Sequence, residues 1–181
     1  MNYKYRVTLE GIKGFYRLYS VSGNNTLYTL HKQLRSDLEF PVDQPILFKA
    51  FDENDAVVAR YALIDLGDGT VDSITVERTV KAGVAKFIYF YDVQARKYVI
   101  ITLEGESDVS CSLPTVIETK GPLPIEFERG YVAFEDLPSD RRRLPGESAG
   151  EDDDDDDEIA DGEDEDREEE EVIYDGEAGE D

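Results

Sequence analysis

Residues 3–10 alternate Tyr3, Tyr5, Val7 and Leu9 with Lys4, Arg6, Thr8 and Glu10. That two-residue period is the mark of a half-buried strand. Gly11-Ile12-Lys13-Gly14 reads as a turn, and Phe15 to Val21 as the returning strand, so the chain opens on a predicted hairpin. Ser22-Gly23-Asn24-Asn25 then breaks the pattern, and the period changes. Leu27, Leu30, His31, Leu34 and Leu38 fall three and four apart, one apolar stripe of a helix, with Asn25 or Thr26 available as its cap and Pro41 and Pro45 beyond its end.

Strand patterns return at 46–51 and 57–63, joined by the turn Asp52-Glu53-Asn54-Asp55. Val76, Thr79 and Val80 before Lys81 and Gly83 predict a short helix with a glycine stop, against the strand preference of Val, Ile and Thr. Residues 87–103, FIYFYDVQARKYVIITL, place two aromatic-rich runs around a polar tip, a second hairpin. Val116 to Thr119 predicts a last short strand, followed by an irregular stretch whose Phe127, Tyr131, Val132, Phe134 and Leu137 are expected to pack onto the body. Elements joined by hairpins rather than βαβ units predict an α+β fold. In it a mostly antiparallel sheet carries one main helix across a face, and its hairpin-then-helix start is like that of β-grasp folds.

Charge divides the chain. The formal net charge is −24, and residues 147–181 hold 22 acidic residues against Arg167 alone. The preceding residues are close to neutral. A run such as GEDDDDDDEIADGEDEDREEEE buries too little apolar surface to offset its ordering entropy, and its charges repel. The expected organisation is a domain over 1–137, a linker over 138–150 and a disordered acidic tail over 151–181. Within the tail, Val172, Ile173 and Tyr174 stand between Glu171 and Asp175 like a short docking motif. A polyanion of this kind keeps a protein soluble, shields a basic surface or engages a basic partner protein. It repels a phosphate backbone, so direct nucleic-acid binding is not expected.

The opening Met1-Asn2-Tyr3-Lys4-Tyr5-Arg6 has no apolar leader, and no run reaches the ~18 apolar residues of a membrane helix. A cytoplasmic protein with no membrane association is the expectation; oligomeric state is not legible. Cys111 is the one cysteine and His31 the one histidine, too few soft ligands for zinc and too few cysteines for a disulfide framework. No cofactor or metal is expected.

The candidate chemistry is sparse. His31 on an apolar stripe reads as a core residue, and Cys111 between Ser110 and Ser112 as an inert thiol. Asp65, Asp68 and Asp72 share a glycine-containing loop, but Asp and Gly are also the usual turn residues. Asp157 to Glu168 matches a calcium loop at positions one, five, six and twelve, with Ile159 at position three. Recombinase chemistry needs arginines around a nucleophile, and Arg141-Arg142-Arg143 sits apart in a proline-flanked stretch.

The helix with Leu27, Leu30 and His31 resembles the Leu-x-x-Leu-His helix of the plasmid pRiA4b ORF-3-like family, found in bacteria and archaea. The strand with Phe48 and Phe51 follows it as in the family. Tyr89, Tyr91 and Asp92 resemble its Tyr-x-Tyr-Asp strand, and Ile101 to Glu104 its return strand. The resemblance spans roughly residues 3–125, and the acidic tail is like that of Bacteroidetes-type variants. The commoner family pattern continues Gly-Asp-x-Trp with a histidine after it. Here the tip carries Val93, Gln94, Ala95, Arg96 and Lys97, and Val99 takes the histidine's place. The resemblance implies a fold and no settled activity. A non-enzymatic binding module is the leading expectation. An enzyme using carboxylates of the Asp65–Asp72 loop or Asp92, and a nucleic-acid mimic that antagonises DNA-binding proteins, are the alternatives.

Overall fold

The computed structural model describes residues 1–142. The expected disordered tail, the calcium-loop match and Val172, Ile173 and Tyr174 lie outside the described residues, as do Arg143 and most of the expected linker.

The opening hairpin is β1 (Asn2–Leu9) and β2 (Ile12–Ser22), closed by a tight turn in which Gly11 takes φ 72°. The main helix α1 (Leu27–Leu38) starts where Thr26 accepts the N–H of Thr29 on its side chain. It ends at Glu39, which adopts a left-handed φ of 54° so that its N–H reaches the carbonyl of Arg35. Strands β3 (Leu47–Phe51) and β4 (Val57–Ala62) form the next hairpin. The short helix α2 (Val76–Lys81) forms despite its β-branched residues. Thr75 caps it, and the backbone before it is zipped to the start of α1: Leu27 N–H donates to Ile74, Tyr28 to Val71 and Val76 to Asn25. That tertiary ladder outweighs local preference. Strands β5 (Lys86–Asp92), β6 (Lys97–Glu106) and β7 (Thr115–Lys120) complete a seven-stranded sheet in the order β4-β3-β5-β6-β1-β2-β7. Every pairing among these strands is antiparallel. The fold is α+β, as the pattern of hairpins predicts.

The alternation read from the sequence sorts side chains onto two faces. The inner face carries Tyr5, Tyr19, Phe48, Phe87, Tyr89 and Ile101, all buried, and joins Leu27, Leu30, Leu34 and Leu38 of α1 in one core. The outer face of β3, β5 and β6 carries Lys49, Ile88, Phe90 and Ile100, which are half-buried, and no described helix packs over it. No described helix is long and apolar enough to cross a membrane.

The stretch after β7 is more ordered than the irregular segment expected. It forms a short helix α3 (Pro124–Glu128), with proline in its first turn, and two 3-10 turns. Phe127 packs edge-on to Phe15 at 6.0 Å, as expected. Leu137 is half-buried. Tyr131 packs edge-on to Phe127 at 5.2 Å, as expected, while keeping about half of its surface in water; Val132 and Phe134 are also about half exposed, and Ala133 is the residue that enters the core. Ala133 lies so close to Gly14 that a Cβ on Gly14 would come within 2.0 Å of it. Asp136 locks the contact by accepting the N–H groups of Lys13 and Gly14 at 2.7 and 3.0 Å. Arg142 donates to the carbonyls of Leu137 and Glu135, so main-chain order continues past residue 137.

Candidate functional site

The polar tip of the β5–β6 hairpin is built around Asp92. Its Oδ1 accepts the Ala95 N–H at 2.9 Å, and Arg96 closes the turn at φ 57°. Asp92 is thus a turn brace, and its register partner is Lys97. Lys97 reaches away from the turn to α3, where Nζ lies 2.6 Å from Oε2 of Glu128. The other oxygen of Glu128 accepts the Tyr91 hydroxyl at 2.9 Å. One carboxylate therefore ties two residues of the hairpin to a helix more than thirty residues away. Burial, then the bond to Glu128, holds the Tyr91 phenol well above the ordinary tyrosine range, and the Glu128 bond raises Lys97. Phe40, just past the end of α1, stacks flat on Tyr91 with ring centres 4.0 Å apart.

Two concavities flank this knot and share Tyr91, Lys97, Pro124 and Glu128. One, of about 240 Å³, has Leu38, Phe40, Pro41 and Ile125 in its walls; the other, of about 290 Å³, has Leu9, Ile12, Tyr98 and Phe127. Together they form an apolar groove bridged by a single ion pair. Glu39 borders the first and Arg96 the second. Both hold left-handed backbone, which costs a non-glycine residue about 1 kcal/mol or more.

The remaining motif residues build the fold behind the groove. Leu27 and Leu30 are buried in the core. His31 and Tyr89 are brought together across α1 and β5, with Nδ1 2.8 Å from the phenol oxygen. Arg35 Nε donates to the same oxygen at 3.3 Å, and its other arm donates to the Gln44 carbonyl at 2.7 Å. Since Arg35 can only donate, the Tyr89 proton is left for His31 Nδ1, and the imidazole carries its own proton on Nε2. Burial, then the charges of Arg35 and Lys32, lowers the His31 pKa to about 4. Tyr28 covers the ring at 5.7 Å. His31 is a neutral core histidine, as its position on the apolar stripe implies.

The other candidates are turn formers. Asp65 Oδ1 accepts the N–H groups of Gly67 and Gly69 at 2.8 and 2.9 Å, and these bonds lower its pKa. Asp68 accepts the Arg60 N–H at 2.8 Å, where it covers part of the free edge of β4. The Asp72 carboxyl is also lowered, chiefly by the neighbouring Thr70 hydroxyl. The three are exposed and do not converge; among the described residues no cluster of His, Cys, Asp or Glu is placed to hold a metal. Cys111 is half-buried, and its thiol donates to the Ser20 carbonyl at 3.2 Å. No local pattern in the sequence points to the Glu128 knot, whose partners lie 37 and 31 residues away. Pro124 ahead of two glutamates marks only a helix start.

Fold and site together define an α+β domain with one covered sheet face and an apolar groove at its end. No protein-family model and no curated protein matches the chain. Among solved structures it is similar to a protein of unknown function from Methanosarcina mazei Go1, at 15% identity and a TM-score of 0.54. The likeness covers 65% of this chain and 68% of that one. At that identity it establishes the shared fold alone.

Proposed function

We propose that the chain is a non-enzymatic, cytoplasmic binding module of the plasmid pRiA4b ORF-3-like family, in which the acidic tail engages a basic partner protein. The observation that carries the reading is the use made of the carboxylates. Asp65, Asp68 and Asp92 each commit one oxygen to main-chain N–H groups as turn braces, and Glu128 commits both of its oxygens to Tyr91 and Lys97. A general acid or base needs a partner side chain that orients and tunes it, and among the described residues no side chain bonds to these three aspartates. The groove beside Glu128 supplies instead what recognition needs: apolar walls with a few fixed polar groups.

The tail supplies charge, with 22 acidic residues between 147 and 181 and Val172, Ile173 and Tyr174 among them. Affinity capture with the full chain and with a chain ending at residue 146 tests the tail's role. Basic partners are expected to be retained by the first, progressively less so as salt rises, and lost from the second at every salt concentration. An identical set of partners on both would remove the tail from the function.

A further inference from the structure

The outer face of the sheet carries a charge pattern that nothing within the described residues resolves. Lys49 of β3 stands directly opposite Arg60 of β4. Two like charges in a cross-strand pair oppose pairing. Neither makes a salt bridge among the described residues. Asp68 approaches Arg60 only at its main-chain N–H. On the next strand Lys86 adds a third cation to the same face, paired to Asp55 on the exposed β3–β4 turn. Beside these cations the register sets an apolar row, Leu47 opposite Phe90 and Phe90 opposite Tyr98, with Ile88 opposite Ile100.

The aromatic rings here are already engaged. Lys49 Nζ lies 5.3 Å from the centre of Phe90, Lys86 Nζ 5.6 Å from that of Phe51, and Phe90 meets Tyr98 at 5.6 Å. A single-stranded nucleic acid would need open ring faces on which bases stack. Aliphatic side chains between the cations suit a peptide instead. In an extended strand successive side chains point to opposite sides, so carboxylates and apolar groups can be arranged to meet both rows.

We propose that the outer face of β4, β3, β5 and β6 is a docking surface for an extended, acidic segment of a partner protein whose apolar side chains cover Leu47, Ile88 and Phe90 while its carboxylates sit between Lys49 and Arg60. The charge complementarity that selects this occupant is the Lys49–Arg60 pair, which no acid among the described residues compensates. The surface is distinct from the groove at Glu128, and its polarity is opposite to that of the acidic tail.

Fluorescence anisotropy on the full chain tests this with three labelled probes: a short peptide alternating Glu with Val, its Gln-for-Glu counterpart, and an oligothymidylate. The acidic peptide is expected to bind, to weaken with salt, and to bind at least roughly tenfold tighter than the Gln peptide. Lys49→Glu should lower that affinity by roughly tenfold or more. It should leave the melting temperature unchanged or higher, because the new Glu faces Arg60. Failure of the acidic peptide to bind, equal binding of both peptides, indifference to Lys49→Glu, or tighter binding of the oligothymidylate would each overturn the assignment. Capture of basic partners through the tail is measured separately, so either result stands without the other.

Discussion

Phe87 and Phe90 lie on the same strand, and the pleat sends them to opposite sides. Phe87 is 1% exposed, with Tyr5 and Phe48 against its ring. Phe90 is half-buried, covered by Lys49 and Tyr98 rather than by a helix. One residue type at two positions of β5 thus does two jobs. The inner ring contributes its full transfer energy to the core; the outer ring is held ready by a cation and a neighbouring ring, with part of its surface still in water. Stability sits on one side of the sheet and unspent surface on the other.

Truncation separates the two most strongly. Phe87→Ala should cost about 3–5 kcal/mol, the usual loss for a buried phenylalanine. Phe90→Ala should cost less, about 1–2 kcal/mol, since part of the ring stays in water and flexible side chains rather than a packed core cover the rest. Paired urea titrations of the two variants measure the difference. Equal losses would mean that the outer face is covered in solution.

The inner face also has a pH signature. His31 has a folded pKa of about 4 against an ordinary 6.5. A depressed pKa means that the unfolded chain takes up the proton first. The contribution is therefore complete above pH 6.5 and is lost as pH falls from there through about 4. At the acid end the loss is on the order of 2–3 kcal/mol. Exposed carboxylates titrate over part of that range too, so the informative quantity is the wild-type profile minus that of His31→Leu. The difference should slope between those two values and lie flat above the upper one. A flat difference throughout would place the imidazole in water and break the contact with Tyr89.

How far the sequence reaches depends on the range of the interaction. The period of Leu27, Leu30, Leu34 and Leu38 is local, and it located α1 within a residue of its observed ends. The alternation in 87–103 likewise located β5 and β6. Val76 to Lys81 was harder, because what fixes that helix is a backbone ladder to residues 23–28, which no window of the local sequence contains. The strand order was out of reach for the same reason: β6 lies between β5 and β1, and nothing in either strand names its non-sequential neighbour. The site followed suit. That Asp92 braces a turn could be read from the residues around it. That Glu128 binds both Tyr91 and Lys97 could not, since the partners are 37 and 31 residues away.

At the hairpin tip the effect shrinks to a single bond. Asp92→Ala removes the acceptor for the Ala95 N–H, a loss of about 1 kcal/mol for a partly exposed hydrogen bond. Asp92→Asn keeps an acceptor and should recover most of it. Thermal melts of the two variants at neutral pH check the ordering. Should the Asn variant be as unstable as the Ala variant, the carboxylate would owe its effect to charge, with Lys97 as the partner to examine.

The smallest expected effect has the opposite sign. Arg60→Glu turns the Lys49–Arg60 pair into an attractive one, on an exposed edge strand where side-chain packing changes little. Cross-strand pairs of this kind are worth roughly 0.2–1 kcal/mol, so the variant should be more stable than the wild type by a few tenths. The gain should fade with added salt, because both side chains are reached by counterions. Most exposed substitutions are neutral or destabilising, which makes a rise in melting temperature at low salt, erased at high salt, a specific signature of relieved repulsion. A fall would mean that Arg60 already has an anionic partner in solution. The outer face would then resemble the inner one, with its charges compensated, and the contrast drawn between Phe87 and Phe90 would not extend to the cations around them.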